Sequence, residues 1–206
     1  MRGFVRLLAV TLSLAASCSL ASDVETEAAF TAAQKALCGK PEMTARFEMN
    51  RQVAGWNNPV RSCGTVSALE RLGVVWKTTE PIEDIVAFGL MKRAATADDG
   101  SLSIEPMRGA EAIREQTEAF LAGDVARWKD YFFVEGRSEE NGRWELLLTP
   151  KNETILTFMK ECRVAGDDRV RSLQVYRPDG TIIAITFSDF ADRVDAEAKA
   201  LLEKLR

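Results

Sequence analysis

The 206-residue chain contains no histidine. That absence removes the Ser-His-Asp and Cys-His arrangements, because no imidazole is present to take and return a proton. It also removes the commonest zinc ligand, and the four cysteines fall at spacings that match no zinc pattern. A glycine-rich phosphate loop and a dinucleotide fingerprint are missing as well. The acidic pairs Asp98-Asp99, Glu139-Glu140 and Asp167-Asp168 fall in expected turns and read as solvated turn residues. A glycosidase-type acid/base pair would need a cleft around them. Basic stripes are lacking too. Twenty-seven basic residues stand against 31 acidic ones, a net charge of −4, so nucleic acid and anionic membrane surfaces are poor partners. The expectation is a protein that is not an enzyme, with no catalytic residue, no metal and no cofactor.

Long apolar runs are absent except at the start. Arg2 and Arg6 flank the beginning of the short run Leu7–Ala16, and Ser19 and Ala21 are the small residues that signal peptidase reads. Residues 1–21 are therefore expected to be a secretory signal peptide, too short to span a bilayer, with residues 22–206 forming a single domain. Loss of Arg2 and Arg6 takes the net charge to −6. Leu14-Ala15-Ala16-Ser17-Cys18 is also a loose match to the box that directs acylation of a cysteine. Two fates stay open: cleavage after Ala21 leaves a freely diffusing periplasmic protein, and acylation of Cys18 anchors the protein to the outer membrane.

Export places the remaining cysteines in an oxidising compartment. Cys38 and Cys63 are the expected disulfide, tying the end of the first helix to the second strand. The loop of about 25 residues would contribute roughly 3 kcal/mol on the chain-entropy model. Cys162 would then be a buried free thiol.

What the chain has is alternation. In Met43–Val53 the residues Met43, Ala45, Phe47, Met49 and Val53 alternate with polar neighbours, so one side of a strand is greasy and the other wet. Further strands are expected at Val60–Leu69, Val74–Thr78, Ile82–Phe88, Leu90–Ala97, Ser101–Met107, Tyr131–Arg137 and Arg143–Thr149. Three more follow at Cys162–Ala165, Val170–Arg177 and Thr181–Phe187, and Gly, Asn, Asp and Pro turns separate many of these runs. Amphipathic helices are expected at Val24–Cys38, closed by Gly39 and Pro41, and at Gly109–Ala122. A short helix should open at Thr149-Pro150, and a last one should begin at Asp189. About ten sequentially antiparallel strands with a few helices give the fold class: α+β, an open, strongly curved antiparallel half-barrel with a helical lid on its concave face.

Several ordered motifs sit on these elements. They are F-x-x-x-R at Phe47–Arg51, P-V-R-S-x-G at Pro59–Gly64 and G-V-V-W-K-T-x-x-P at Gly73–Pro81. An Asp-Gly turn follows at Asp99-Gly100. Then come Y-F-x-V-E-G ending at Gly136, G-R-W-x-L-x-L-T-P at Gly142–Pro150, and P-D-G-T-I…F-S-D at Pro178–Asp189. Together they cover roughly residues 25–190, and the chain resembles the periplasmic outer-membrane lipoprotein carrier (LolA) family, in its LolA-related branch. The resemblance implies an unclosed barrel, a helical lid and an apolar cavity that shields acyl chains. It implies a carrier for lipoproteins or a related lipidic cargo, with an inner-membrane exporter as donor, an outer-membrane acceptor, and a monomeric chain. The family's functional arginine lies in the hairpin after the second strand. Here that position is Glu70, which makes its neighbour Arg71 the candidate lid latch.

Alternation assigns Phe47, Met49, Val66, Trp76, Ile85, Phe88, Phe133, Trp144 and Leu146 to the inward set, with Val175, Ile183 and Ile185. Ile113, Phe120, Leu121 and Phe158 would face them from the lid. As residues alone these are equally a packed core, and the resemblance is what reads them as a lipid-binding cavity. Two other readings remain: a lipidated acceptor anchored at Cys18, and a docking module on the same fold that binds no ligand.

Overall fold

In the structure, a computed structural model, residues 23–37, 41–106, 125–139 and 141–206 are described. The signal segment, Cys18, Cys38 and the expected helix at 109–122 lie outside the described residues. Helix α1 (Asp23–Leu37) leads into β1 (Glu42–Gln52), β2 (Val60–Leu69), β3 (Gly73–Glu80), β4 (Asp84–Gly89), β5 (Lys92–Thr96) and β6 (Leu102–Pro106). The second half runs through a 3-10 turn at Val125–Arg127, α2 (Trp128–Tyr131), β7 (Phe132–Ser138), β8 (Trp144–Pro150) and α3 (Glu153–Leu156). It closes with β9 (Glu161–Gly166), β10 (Val170–Tyr176), β11 (Ile182–Ala191) and α4 (Ala196–Lys204).

All eleven strands form one open sheet in the order β6-β5-β4-β3-β2-β1-β11-β10-β9-β8-β7. Every neighbouring pair is antiparallel. The first six strands form one meander and the last five another, and the first strand of one meander meets the last strand of the other at β1–β11. The expected half-barrel is present, with eleven strands among the described residues.

Register assigns each strand's two faces. The face bearing Phe47 (the inner face) carries Ala45, Phe47, Val66 and Ile185, and continues through Leu173 to Val164, Leu146, Leu148 and Trp144. Helix α1 covers the β7–β9 end of this face, where Ala29, Phe30, Ala33 and Ala36 are buried against Trp144, Leu146, Leu148 and Val164. Small alanines bring the helix close to the strands, and Phe30 fills the remaining gap.

The same helix protects an edge. The Thr26 hydroxyl accepts a hydrogen bond from the Gly136 N–H at 3.1 Å and donates one to the Gly136 carbonyl at 3.4 Å. Gly136 lies on β7, the outermost strand, so a side chain occupies backbone groups that a further strand would use.

The last helix departs from expectation. It starts at Ala196, with Asp195 as its N-cap accepting from the Ala198 N–H at 2.7 Å, and not at Asp189. Asp189 lies inside β11 at φ 51, in a bulge that sets Asp189 and Phe190 of β11 against Ala45 of β1. Helix α4 also lies on the outer face, not the inner one: Leu202, Leu205, Ala198 and Val194 pack on Leu69, Val75, Ala87 and Ala94. The reason is visible in β3 and β4, where G-V-V-W and I-V-A-F are apolar on both sides, and a strand of that kind needs cover on both faces. Pro150 is likewise the last residue of β8, and α3 is capped by Asn152, whose Oδ1 accepts from the Thr154 N–H at 2.7 Å.

Candidate functional site: the open half of the inner face

The inner face has two halves of different character. Over β7–β9 the side chains are a closed core under α1. Over β1–β3 and β10–β11 the buried set Ala45, Phe47, Val66 and Ile185 is flanked by Met49, Trp76, Ile183, Phe187 and Leu173, all only half-buried. The described helices lie elsewhere, α1 over β7 and β8 and α4 over β3 and β4 on the other face.

An aromatic row forms the floor of this open half. Phe47 and Trp76 meet edge-to-face at 5.0 Å between ring centroids, and Trp76 meets Phe187 at 6.1 Å. Phe47 on β1 and Trp76 on β3 belong to strands two spacings apart, roughly 9–10 Å. Their rings converge because Gly64, beside Phe47 on the intervening strand, has no side chain to fill the gap. Phe47, Trp76, Phe187, Met49 and Ile183 together form an apolar stretch of the inner face, the trough.

The expected cavity residues divide accordingly. Phe47, Met49, Val66 and Trp76 share the trough. Phe88 falls on the same face by register, opposite Val74. Trp144 and Leu146 lie on the inner face but are core beneath α1. Ile85 is on the outer face, packed with the α4 cluster, because its partner in register is Lys77 while Trp76 pairs with Val86. Phe133 is 62% exposed on the outside, and the buried neighbour is Phe132. Ile113, Phe120 and Leu121 lie outside the described residues. Phe187 and Phe190 complete the apolar cluster without having been expected there. Phe187 was signalled by the alternation Ile183-Ile185-Phe187, whereas Phe190 is turned inward by the bulge at Asp189.

Arg71 sits at φ 63 in the β2–β3 turn, its side chain in solvent 3.8 Å from Glu70. Cys63 is a free, half-buried thiol on β2. Cys162 is buried on the inner face, and burial first, then the charge of Glu161, pushes its pKa up to about 12. At pH 8 it should therefore stay unlabelled by a water-soluble disulfide reagent until the chain is unfolded. Labelling in the native state would mean that the β8–β10 core opens readily.

Two polar clefts are also present, the second of them sharing Met49 with the trough. One of about 430 Å³ is lined by Arg137, Glu139, Arg143, Glu145, Asp167 and Arg171 around the Trp144 edge. Partial burial alone would raise the Asp167 pKa. Hydrogen bonds from the Arg171 side chain and from the Arg169 N–H, with the Arg171 charge, outweigh it and hold the group at about 2. The other cleft, of about 450 Å³, is bordered by Arg46, Glu48, Arg61, Cys63 and Glu80. Among the described residues no group of three His, Cys, Asp or Glu side chains is placed to hold a metal ion, and no helix is long and apolar enough to cross a membrane.

The architecture is an open antiparallel half-barrel with an apolar inner face. No family model and no curated protein matches the chain. Solved structures similar to it include a LolA superfamily protein from Nitrosomonas europaea, at 9% identity and a TM-score of 0.45, covering 84% of this chain and 96% of that one. Another is a domain from Vibrio parahaemolyticus named for outer membrane lipoprotein sorting, at 12% identity and a TM-score of 0.45, covering 86% and 99%. LprF from Mycobacterium bovis is similar at 9% identity and a TM-score of 0.40, covering 83% and 96%. At these identities the likeness is one of fold.

Proposed function

We propose that this chain is a non-enzymatic periplasmic carrier that shields the acyl chains of a lipoprotein or related lipidic cargo on the open half of its inner face. The observation that carries the reading is the trough: Trp76, Phe187, Met49 and Ile183 are only half-buried beside the buried Phe47 ring with no described helix over them, while the neighbouring half of the same face is closed by α1. The ordered LolA-like motifs and the export signal support it. In this reading an inner-membrane exporter loads the carrier and an outer-membrane acceptor unloads it.

The energetics explain why such a trough suffices. Each methylene moved out of water gains about 0.8 kcal/mol, so an unshielded multi-chain lipid does not cross an aqueous gap. A bilayer offers the same gain per methylene. Carriage therefore needs affinity close to that of a membrane, and small differences in contact direct delivery.

The test is native mass spectrometry of the mature chain purified from periplasm, before and after organic extraction, alongside binding of a fluorescent acyl probe. Co-purified lipid, or a probe displaced by added lipoprotein, is expected. Trp76→Glu should weaken the probe roughly tenfold or more by placing a charge in the trough. A clean apo mass with no probe binding would overturn the reading and leave the trough as a protein-docking face.

A further inference from the structure

We propose that the end of the sheet carrying the β1–β2 hairpin tip is a docking surface for a zwitterionic lipid bilayer. Nine large apolar side chains are exposed among the described residues. Six of them, Trp56, Val60, Ile82, Leu102, Phe133 and Leu156, belong to that end, where β1, β3, β5, β8 and β10 finish and their neighbours begin. Among the described residues the other three are Met91, in the β4–β5 turn at the opposite end, Val24, at the start of α1 two residues before the Thr26 that bonds Gly136, and Ile104, in the middle of β6. Isolated exposed apolar residues are ordinary, but their collection at one end of one sheet is not.

Trp56 is 59% exposed and Ile82 76%. Trp56 is also held in place. Its N–H donates to the Val53 carbonyl at 3.1 Å, and its own carbonyl accepts from Gln52 Nε2 at 2.7 Å. A fixed turn therefore presents an indole, the side chain that settles best where an apolar layer meets water. The six side chains are spread over the β1–β2 hairpin, the β3–β4 turn, the start of β6, the start of β7 and α3. That arrangement suits a fluid layer better than a shaped protein partner. Charge chooses the lipid. Arg51 and Arg61 flank the Trp56 hairpin and Lys151 lies over the Phe133 ring at 5.1 Å, but Glu80, Glu83 and Asp84 surround Ile82 and Glu153 opens the helix of Leu156, so the surface has no basic excess with which to seek anionic headgroups. The trough reaches toward this same end, since Ile183 pairs with Arg51 one residue from the end of β1. The surface rests on the carrier reading only for its purpose, which is to bring the trough to the membrane.

The test is co-flotation of the full mature chain with phosphatidylcholine vesicles, some carrying bromine-labelled acyl chains that quench tryptophan on contact. Wild type is expected to float and to be quenched. Trp56→Ser combined with Ile82→Ser should lower partitioning about tenfold and abolish the quenching. Met91→Ser, at the other end, should change neither. Thermal melts confirm that each variant is folded. The proposal is overturned if wild type stays in the aqueous phase, if it floats only with anionic vesicles, or if Met91→Ser weakens binding as much as the double variant. Acyl-probe binding without vesicles reports the carrier reading separately: probe binding without flotation defeats the docking surface alone, and flotation without probe binding defeats carriage alone.

Discussion

Trp144→Ala is expected to cost about 3–5 kcal/mol of folding stability, because the cavity left by a buried indole does not collapse fully. The ring is buried beneath α1, and its Nε1 donates to the Asp167 carbonyl at 2.7 Å, so the side chain fastens both the helix and the β9–β10 turn to β8. In a domain of this size the loss should lower the melting temperature by roughly 10 °C or more, read by circular dichroism. Trp144→Phe keeps most of the apolar area and loses the hydrogen bond, for about 1 kcal/mol. The pair separates two roles that sequence could not. A tryptophan that touches cargo would weaken acyl-probe binding when replaced and melt nearly normally. Trp144 should do the reverse, and Trp76→Glu should show the cargo pattern.

Gly64→Ala is the second large effect. A Cβ at Gly64 would lie 2.0 Å from the Lys77 carbonyl oxygen and 2.8 Å from the Thr78 Cα. Both are backbone atoms of β3, so no rotamer relieves the clash, and the strands must separate where β3 already carries an extra residue between Cys63 and Gly64 in register. Overpacking of this kind costs roughly 3 kcal/mol or more. Gly55→Ala is the comparison. Its φ is +80 but nothing lies within 4 Å of the added methyl, so about 1 kcal/mol is expected from backbone strain alone. Because Gly64 also leaves the space into which the Phe47 ring turns, its replacement should reduce probe binding along with stability. Equal melting temperatures for the two variants would show that the β2–β3 pair has slack at the bulge.

Much of this architecture was legible because alternation is a direct imprint of one-sided burial. From Met43 to Met49 in β1 and from Trp144 to Leu148 in β8 every second residue is apolar, and both strands appear where the pattern places them, with Phe47 and Leu146 facing inward. The errors arose where alternation stops. Ile85-Val86-Ala87-Phe88 and Tyr131-Phe132-Phe133-Val134 are unbroken apolar runs, and such runs do not say which parity faces in. The register against Trp76 and Leu148 decides it, and register is a long-range property. Asp189 and Asp195 are both acceptable helix caps on composition. The choice fell to Asp195 because β1 holds β11 in register past Ser188, which turns Asp189 into a bulge and Phe190 into part of the inner-face cluster. The division of the inner face was not legible at all, since nothing local to Trp144 or Trp76 states which of them α1 will cover.

The hydroxyl of Thr26, lodged on the backbone of Gly136, also decides how copies of this protein can associate. Growth of a fibre by strand addition needs two usable sides on every copy, one to join and one to be joined. With β7 closed by α1, the edge without such cover among the described residues is β6. Two copies meeting through β6 would exhaust each other's open side, so any such contact ends at a pair.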